Sequence, residues 1–208
     1  MATLTLSLPP TAIDLTELLP VTFTKPGLTE EEYFELCAEF DDYFVEYTAD
    51  GTVIIMPGTD PETSEGVLDV NFQLTTWARQ DGRGRVTGPD ASFFFPNGAR
   101  REPDAEWFDA ERWKTDKART PGKRVPVFAP EFVIEVRSPE QRAQMQRDKM
   151  GEYIKNGVLL GWLIDPLEKT VSIYRPGQEP EVLSNPAQVS GEGPVAGFVL
   201  HLERVFQS

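Results

Sequence analysis

The stretch FVIEVRSPEQ, Phe132–Gln141, constrains the fold more than any other part of the chain. Phe132, Val133, Ile134 and Val136 form an apolar run of the kind found in strands covered on both faces. Only a layered domain, with other elements packed on each side of a sheet, supplies that cover. Glu135 interrupts the run. A buried carboxylate is costly to desolvate unless it is paired or holds a metal, so the fold must bring something to it.

The 208 residues suit one domain. Residues 1–27 read as an extended arm with Pro9, Pro10 and Pro20, and 28–208 as the domain itself. No Lys or Arg precedes Lys25, so the first residues lack the basic start of a secretory signal. No apolar run approaches the roughly 20 residues that span a bilayer. Cys37 is the single cysteine, which excludes an intrachain disulfide. The expectation is a cytoplasmic protein with no membrane partner.

The net charge of −14 argues at first against a nucleic-acid partner, but the charge is unevenly spread. Residues 1–75 carry 15 acids against Lys25 alone, whereas residues 76–155 carry 16 Lys and Arg against 13 acids. The central segment, with Arg79, Arg83, Arg85, Arg100, Arg101, Lys123 and Arg124, is mildly basic. It reads as a solvated surface or as a phosphate-facing patch.

Thr29 and Glu32 have the spacing of a capping box, and Tyr33, Phe34, Leu36, Cys37 and Phe40 recur behind them at helical spacing. Asp50-Gly51 marks a hairpin. A helix is predicted from about Thr63 to Gln80, two strands separated by a turn at Asn97-Gly98, and a polar loop over 110–130 with a short helix near Arg112. After the opening strand, Ser138, Pro139 and Gln141 have the order of a helix start, N-cap, N1 and N3, predicting a helix over 139–156. Strands follow at LGWLIDP and TVSIYRP, with weaker ones near Glu181–Leu183 and Val199–Glu203. Helices alternating with strands around a mixed sheet give an α/β or α+β domain.

Elimination narrows the chemistry. One Cys and one His, His201, cannot build a zinc site of nitrogen and sulfur ligands. A nucleophilic triad would need His201, which lies in a C-terminal apolar strand. GRGRVTG, Gly82–Gly88, misses the dinucleotide-binding spacing and reads as a turn. Carboxylates and lysines remain, and hard oxygen ligands select magnesium or manganese.

Asp104 and Glu135 stand out by their settings. Asp104 follows Pro103 at the entry of DAEWF. Glu135 shares a strand face with Arg137, since residues two apart point the same way. An ion pair of Glu135 with Arg137, Arg100 or Arg101 is one reading. If the following helix folds back along the strand, Glu135 lies about 10 Å before Ser138 and Lys149 about 16 Å beyond it. Lys149 then reaches the Glu135 region. It also shares a helix row with Met145 and Tyr153, where a snorkelling side chain is the alternative.

EPDAEWF, PEFVIEVRSP, RDKMGEYIKNGVLLGWLIDP and VSIYRPG, in this order, resemble the Uma family of restriction endonucleases, from about Leu28 to Phe206. The resemblance implies a PD-(D/E)XK nuclease-like core, a central mixed sheet flanked by helices, acting on DNA with Mg²⁺ or Mn²⁺. It makes Asp104 the acid of the first half-motif and Glu135 the acid of the second. The lysine usual two residues later is Arg137 here, which could clamp a phosphate but not shuttle protons. Lys149, on the following helix, takes the lysine's place. Glu62 is the candidate acid from the first core helix, with Glu65 behind it. Asp104, Glu135, Glu62 and the Val136 carbonyl would hold the metal. A homodimer is the matching expectation, because many nucleases pair to cut both strands. Two rival readings stay open: a nuclease fold that binds nucleic acid or a protein partner without cutting, and a structural domain whose carboxylates are fixed in ion pairs.

Overall fold

The computed structural model describes residues 20–139 and 141–207. In chain order it contains β1 (Val21–Thr24), α1 (Glu30–Glu39), β2 (Phe44–Tyr47), β3 (Thr52–Met56) and α2 (Pro61–Asp81). Next come β4 (Gly84–Val86), β5 (Phe93–Phe94), β6 (Arg100–Arg101), β7 (Ala105–Asp109), α3 (Ala110–Arg119) and β8 (Phe132–Val136). The C-terminal part holds α4 (Ala143–Lys155), β9 (Leu160–Asp165), β10 (Thr170–Tyr174), β11 (Glu181–Ser184), β12 (Gln188–Ser190) and β13 (Val199–His201).

The apolar run of β8 lies at the centre, as its composition requires. A six-stranded sheet runs β11-β10-β9-β8-β7-β4, with β8 and β9 parallel and the other pairs antiparallel. Period-two alternation sorts its side chains between two layers. Ala105, Trp107, Phe132, Ile134, Val136, Leu160, Trp162 and Ile164 pack on one face against Val67, Val70 and Leu74 of α2 and against Phe198 and Leu200. Phe108, Val133 and Leu163 face the other way, toward Met150 and Tyr153 of α4 and toward Phe93, Phe95 and Phe128. Gly161 allows α4 to sit close, because a Cβ there would stand 2.5 Å from the Met150 methyl.

A second sheet, β1-β3-β2-β6-β5, carries α1 and its own core of Leu28, Tyr33, Val45, Tyr47, Val53 and Ile55. The capping box forms as the sequence predicts: the Thr29 side chain accepts from the Glu32 N–H, and the Glu32 carboxylate accepts from the Thr29 N–H. The hairpin at Asp50-Gly51 also forms, with Gly51 at φ 90°. Of the predicted arm, residues 1–19 lie outside the described residues, and Val21–Thr24 is an edge strand paired with β3.

Three local expectations are refined. The two strands separated by a turn at Asn97-Gly98 form as the short antiparallel pair β5 and β6, with Gly98 at φ 91°. Pro103 lacks an N–H to donate, and the chain passes there from β6 in the small sheet to β7 in the large one. The 110–130 region opens with a ten-residue helix, α3, capped by Asp109. α4 starts at Ala143 rather than at Pro139. Gln141 and Ser138 do exchange bonds, but they close a separate turn. The Gln141 carbonyl there accepts from Arg137 Nε at 3.0 Å. Among the described residues no helix is long and apolar enough to cross a membrane.

Candidate active site

β7 and β8 pair from Ala105 opposite Ile134 to Trp107 opposite Phe132. One step along this register, Asp104 faces Glu135. There the ladder ends, and the Asp104 carboxylate takes the place of a backbone acceptor: its Oδ2 accepts from the Val136 N–H at 2.7 Å. Asn71 of α2 fixes the other side of this residue by donating to the Asp104 carbonyl at 2.7 Å. By alternation Asp104, Glu106 and Glu135 all point to the α4 side.

α4 answers with two side chains one turn apart. Lys149 Nζ lies 2.9 Å from each oxygen of the Glu135 carboxylate. The Tyr153 hydroxyl donates to Glu135 Oε1 at 2.7 Å. Lys149 also reaches Glu46 of β2, at 2.8 Å from Oε1. Glu46 Oε2 in turn pairs with Arg101 Nη1 at 2.8 Å, and Arg101 Nε donates to Glu152 of α4 at 2.8 Å. The small sheet and α4 are thereby tied together by Glu46–Lys149 and Arg101–Glu152.

Burial dominates the electrostatics. It pushes Glu135 up to about 8, against the pull of Lys149, while Asp104 and Glu46 push it further up. Asp104 is raised by burial, with Lys149 and the Val136 N–H opposing. Burial also works against ionisation of Glu46, but Lys149 and Arg101 overcome it and hold that carboxyl below its usual range. Lys149 stays charged: burial disfavours its ammonium, and Glu135, Glu46 and Asp104 outweigh that cost. Tyr153 is held well above the ordinary phenol range by burial and by Glu135, so it remains a donor. Glu106, fully buried with Oε2 unpartnered, is pushed by burial up to about 8 although Thr87 donates to its Oε1.

The structure thus brings Asp104, Glu135 and Lys149 together, with Val136 bound to Asp104. It does not bring in Glu62 or Glu65. Both lie exposed at the start of α2, and α2 packs on the face of the sheet opposite to Glu135. Arg137 is also elsewhere: its Nη1 pairs with Asp165 at 2.7 Å across the tips of β8 and β9. Neither Arg137, Arg100 nor Arg101 is the partner of Glu135. Glu46 is the residue missing from the sequence reading, although an acid inside the apolar FVEY strand carries the same signal as Glu135.

The donor set is oxygen only, which suits a hard divalent cation. Several carboxylates press on each other's charge around a single lysine, and a further cation would relieve that. Among the described residues no three Asp, Glu, His or Cys side chains form a preassembled ligand cluster. Magnesium tolerates this, since it is held through one or two carboxylates with water and substrate oxygens completing the shell. Asp104, Glu135 and the Val136 carbonyl are the groups that fit. Glu62 does not, because of its place on the opposite layer.

Comparison with known proteins agrees with this architecture. Residues 30–203 match the Uma2 family, described as "Putative restriction endonuclease". A crystal structure of a "putative nuclease belonging to DUF820" from Anabaena variabilis superposes with a TM-score of 0.67 at 25% sequence identity. The match covers 78% of this chain and 89% of that one. No curated protein matches the chain. The mixed sheet is therefore of the restriction-endonuclease-like kind, and the chain belongs to the Uma2 family.

Proposed function

We propose that the protein is an endonuclease that hydrolyses phosphodiester bonds of DNA with the help of Mg²⁺ or Mn²⁺. The observation that carries this reading is the sharing of one buried lysine, Lys149, by carboxylates from two sheets, with Asp104 facing Glu135 at the open end of the β7–β8 ladder. A structural ion pair needs one acid for one base. Here the acids outnumber the bases in a buried place, which is unfavourable for stability alone and useful for holding a cation against a polyanion.

Each side chain has a task that follows from its geometry. Asp104, Glu135 and the Val136 carbonyl would hold the ion, which when bound polarises a phosphate oxygen and lowers the pKa of a coordinated water. Lys149 is a fixed positive charge whose ammonium offers three donors and spends them within a small arc. It orients the attacking water or neutralises charge developing on the phosphate. Glu46 is a second carboxylate on the Lys149 ammonium, 2.8 Å from it. Arg137, engaged by Asp165 and by the Gln141 carbonyl, keeps the strand tips together and takes no part in proton transfer.

Supercoiled plasmid incubated with the full chain and Mg²⁺ or Mn²⁺ tests the proposal. Wild type is expected to nick it, and Asp104→Ala and Glu135→Ala to lose at least about a hundredfold in rate. No nicking by wild type, or equal nicking by the variants, overturns the reading. The second reading, a nuclease fold that binds DNA without cutting, draws on the engagement of Arg137 at the position of the usual lysine. Salt-steep DNA binding with no cleavage would establish it.

A further inference from the structure

Glu135 meets both of its α4 partners differently. The Lys149 ammonium straddles the two carboxylate oxygens at 2.9 Å each, so it neutralises the acid without fixing which oxygen faces which way. Tyr153 makes a single directional bond, to Oε1 at 2.7 Å. The Tyr153 side chain is 0% exposed and cannot touch a DNA substrate. Its ring is itself held: it packs on Phe95 with centroids 5.3 Å apart, and it lies on the α4 face that closes over Gly161. Phenol is also the one kind of partner here that donates a hydrogen bond without cancelling charge.

We infer that Tyr153 is a positioning residue for cation binding: by holding Oε1 it fixes the rotation of the Glu135 carboxylate, so that Oε2, which Lys149 reaches, is the oxygen the ion would share. This rests on the metal-dependent reading above. Groups that orient a metal ligand through a hydrogen bond commonly change metal affinity by about 10–100-fold when removed. Packing alone has no such effect, so a purely structural tyrosine and a positioning one differ in what they do to metal binding.

Calorimetric titration with Mn²⁺ alone, on folded full-length protein, separates the two. Tyr153→Phe is expected to weaken Mn²⁺ binding about tenfold and to shift the Mn²⁺ dependence of cleavage by the same factor, with KM for DNA unchanged. In a Glu135→Gln background the same substitution is expected to have no further effect on Mn²⁺ binding. Phe95→Leu, which disturbs the packing of the ring but keeps the hydroxyl, is expected to lower the melting temperature and leave Mn²⁺ affinity in place. Wild-type affinity in Tyr153→Phe, or equal weakening by Phe95→Leu, overturns the positioning role while the metal reading stands. Absence of Mn²⁺ binding by wild type overturns both.

Discussion

The two faces of the central sheet are built from the same strands and do opposite things. Toward α2, β7 and β8 present Ala105, Trp107, Phe132, Ile134 and Val136, an apolar layer with no charged side chain. Toward α4 they present Asp104, Glu106 and Glu135, which burial would rather see neutral. The unbroken layer stabilises the fold, at about 1.5–3 kcal/mol for each large side chain removed from water. That surplus lets the other layer carry acids whose ionisation opposes folding. A strand with period two is suited to this division, because each face can be composed without disturbing the other.

Substitutions on the two faces should therefore separate by their pH dependence. The largest effect is expected for Lys149→Met. It leaves Glu46 and Glu135 buried without their shared cation, a loss of about 3–5 kcal/mol in denaturant unfolding at pH 8. Protonation of the acids relieves this, so the loss should shrink at pH 5; an equal loss at both would break the comparison. Ile134→Ala, on the apolar face, is expected to cost about 2–5 kcal/mol at either pH.

The smallest effect is the sharpest. Burial pushes Glu106 and Glu135 each up to about 8, above the ordinary carboxylate value of 4.5. Between these two values the folded state holds protons that the unfolded chain has released. Their contribution to stability is complete below about 4.5 and is lost as pH rises through about 8. The melting temperature of metal-free protein should fall across that window. Glu106→Gln should raise it at pH 8 and far less at pH 5. A flat profile in wild type would mean that the acids are not buried as described.

What the sequence reveals of this site follows from how local each signal is. Glu135 is legible because an acid among four apolar residues has to be explained. Lys149 is legible because strand and helix rise fix how far a fold-back reaches, even though α4 starts four residues later than its sequence suggests. The register that sets Asp104 opposite Glu135 is not local, and only the resemblance to a family joins the two. Glu62 is a candidate only through the resemblance, as an acid at the start of the first core helix. Which layer that helix joins depends on its apolar stripe, Val67, Val70 and Leu74, meeting the Trp107 and Ile134 face. Glu46 belongs to another sheet, and no periodicity within FVEY tells that Lys149 will arrive beside it.

The passage of the chain from β6 to β7 at Pro103 has a consequence for how the protein acquires its chemistry. Glu46 is supplied by one sheet, Asp104 and Glu135 by the other, and Lys149 by a helix closing over both. Phe93 of the small sheet packs in one cluster with Phe108 and Val133 of the large one, and the site exists only where the two sheets meet. Loop-closure entropy makes such distant contacts late ones. A nascent or partly unfolded chain would carry all the acids without their shared lysine, so the constellation itself arises only with completion of the fold.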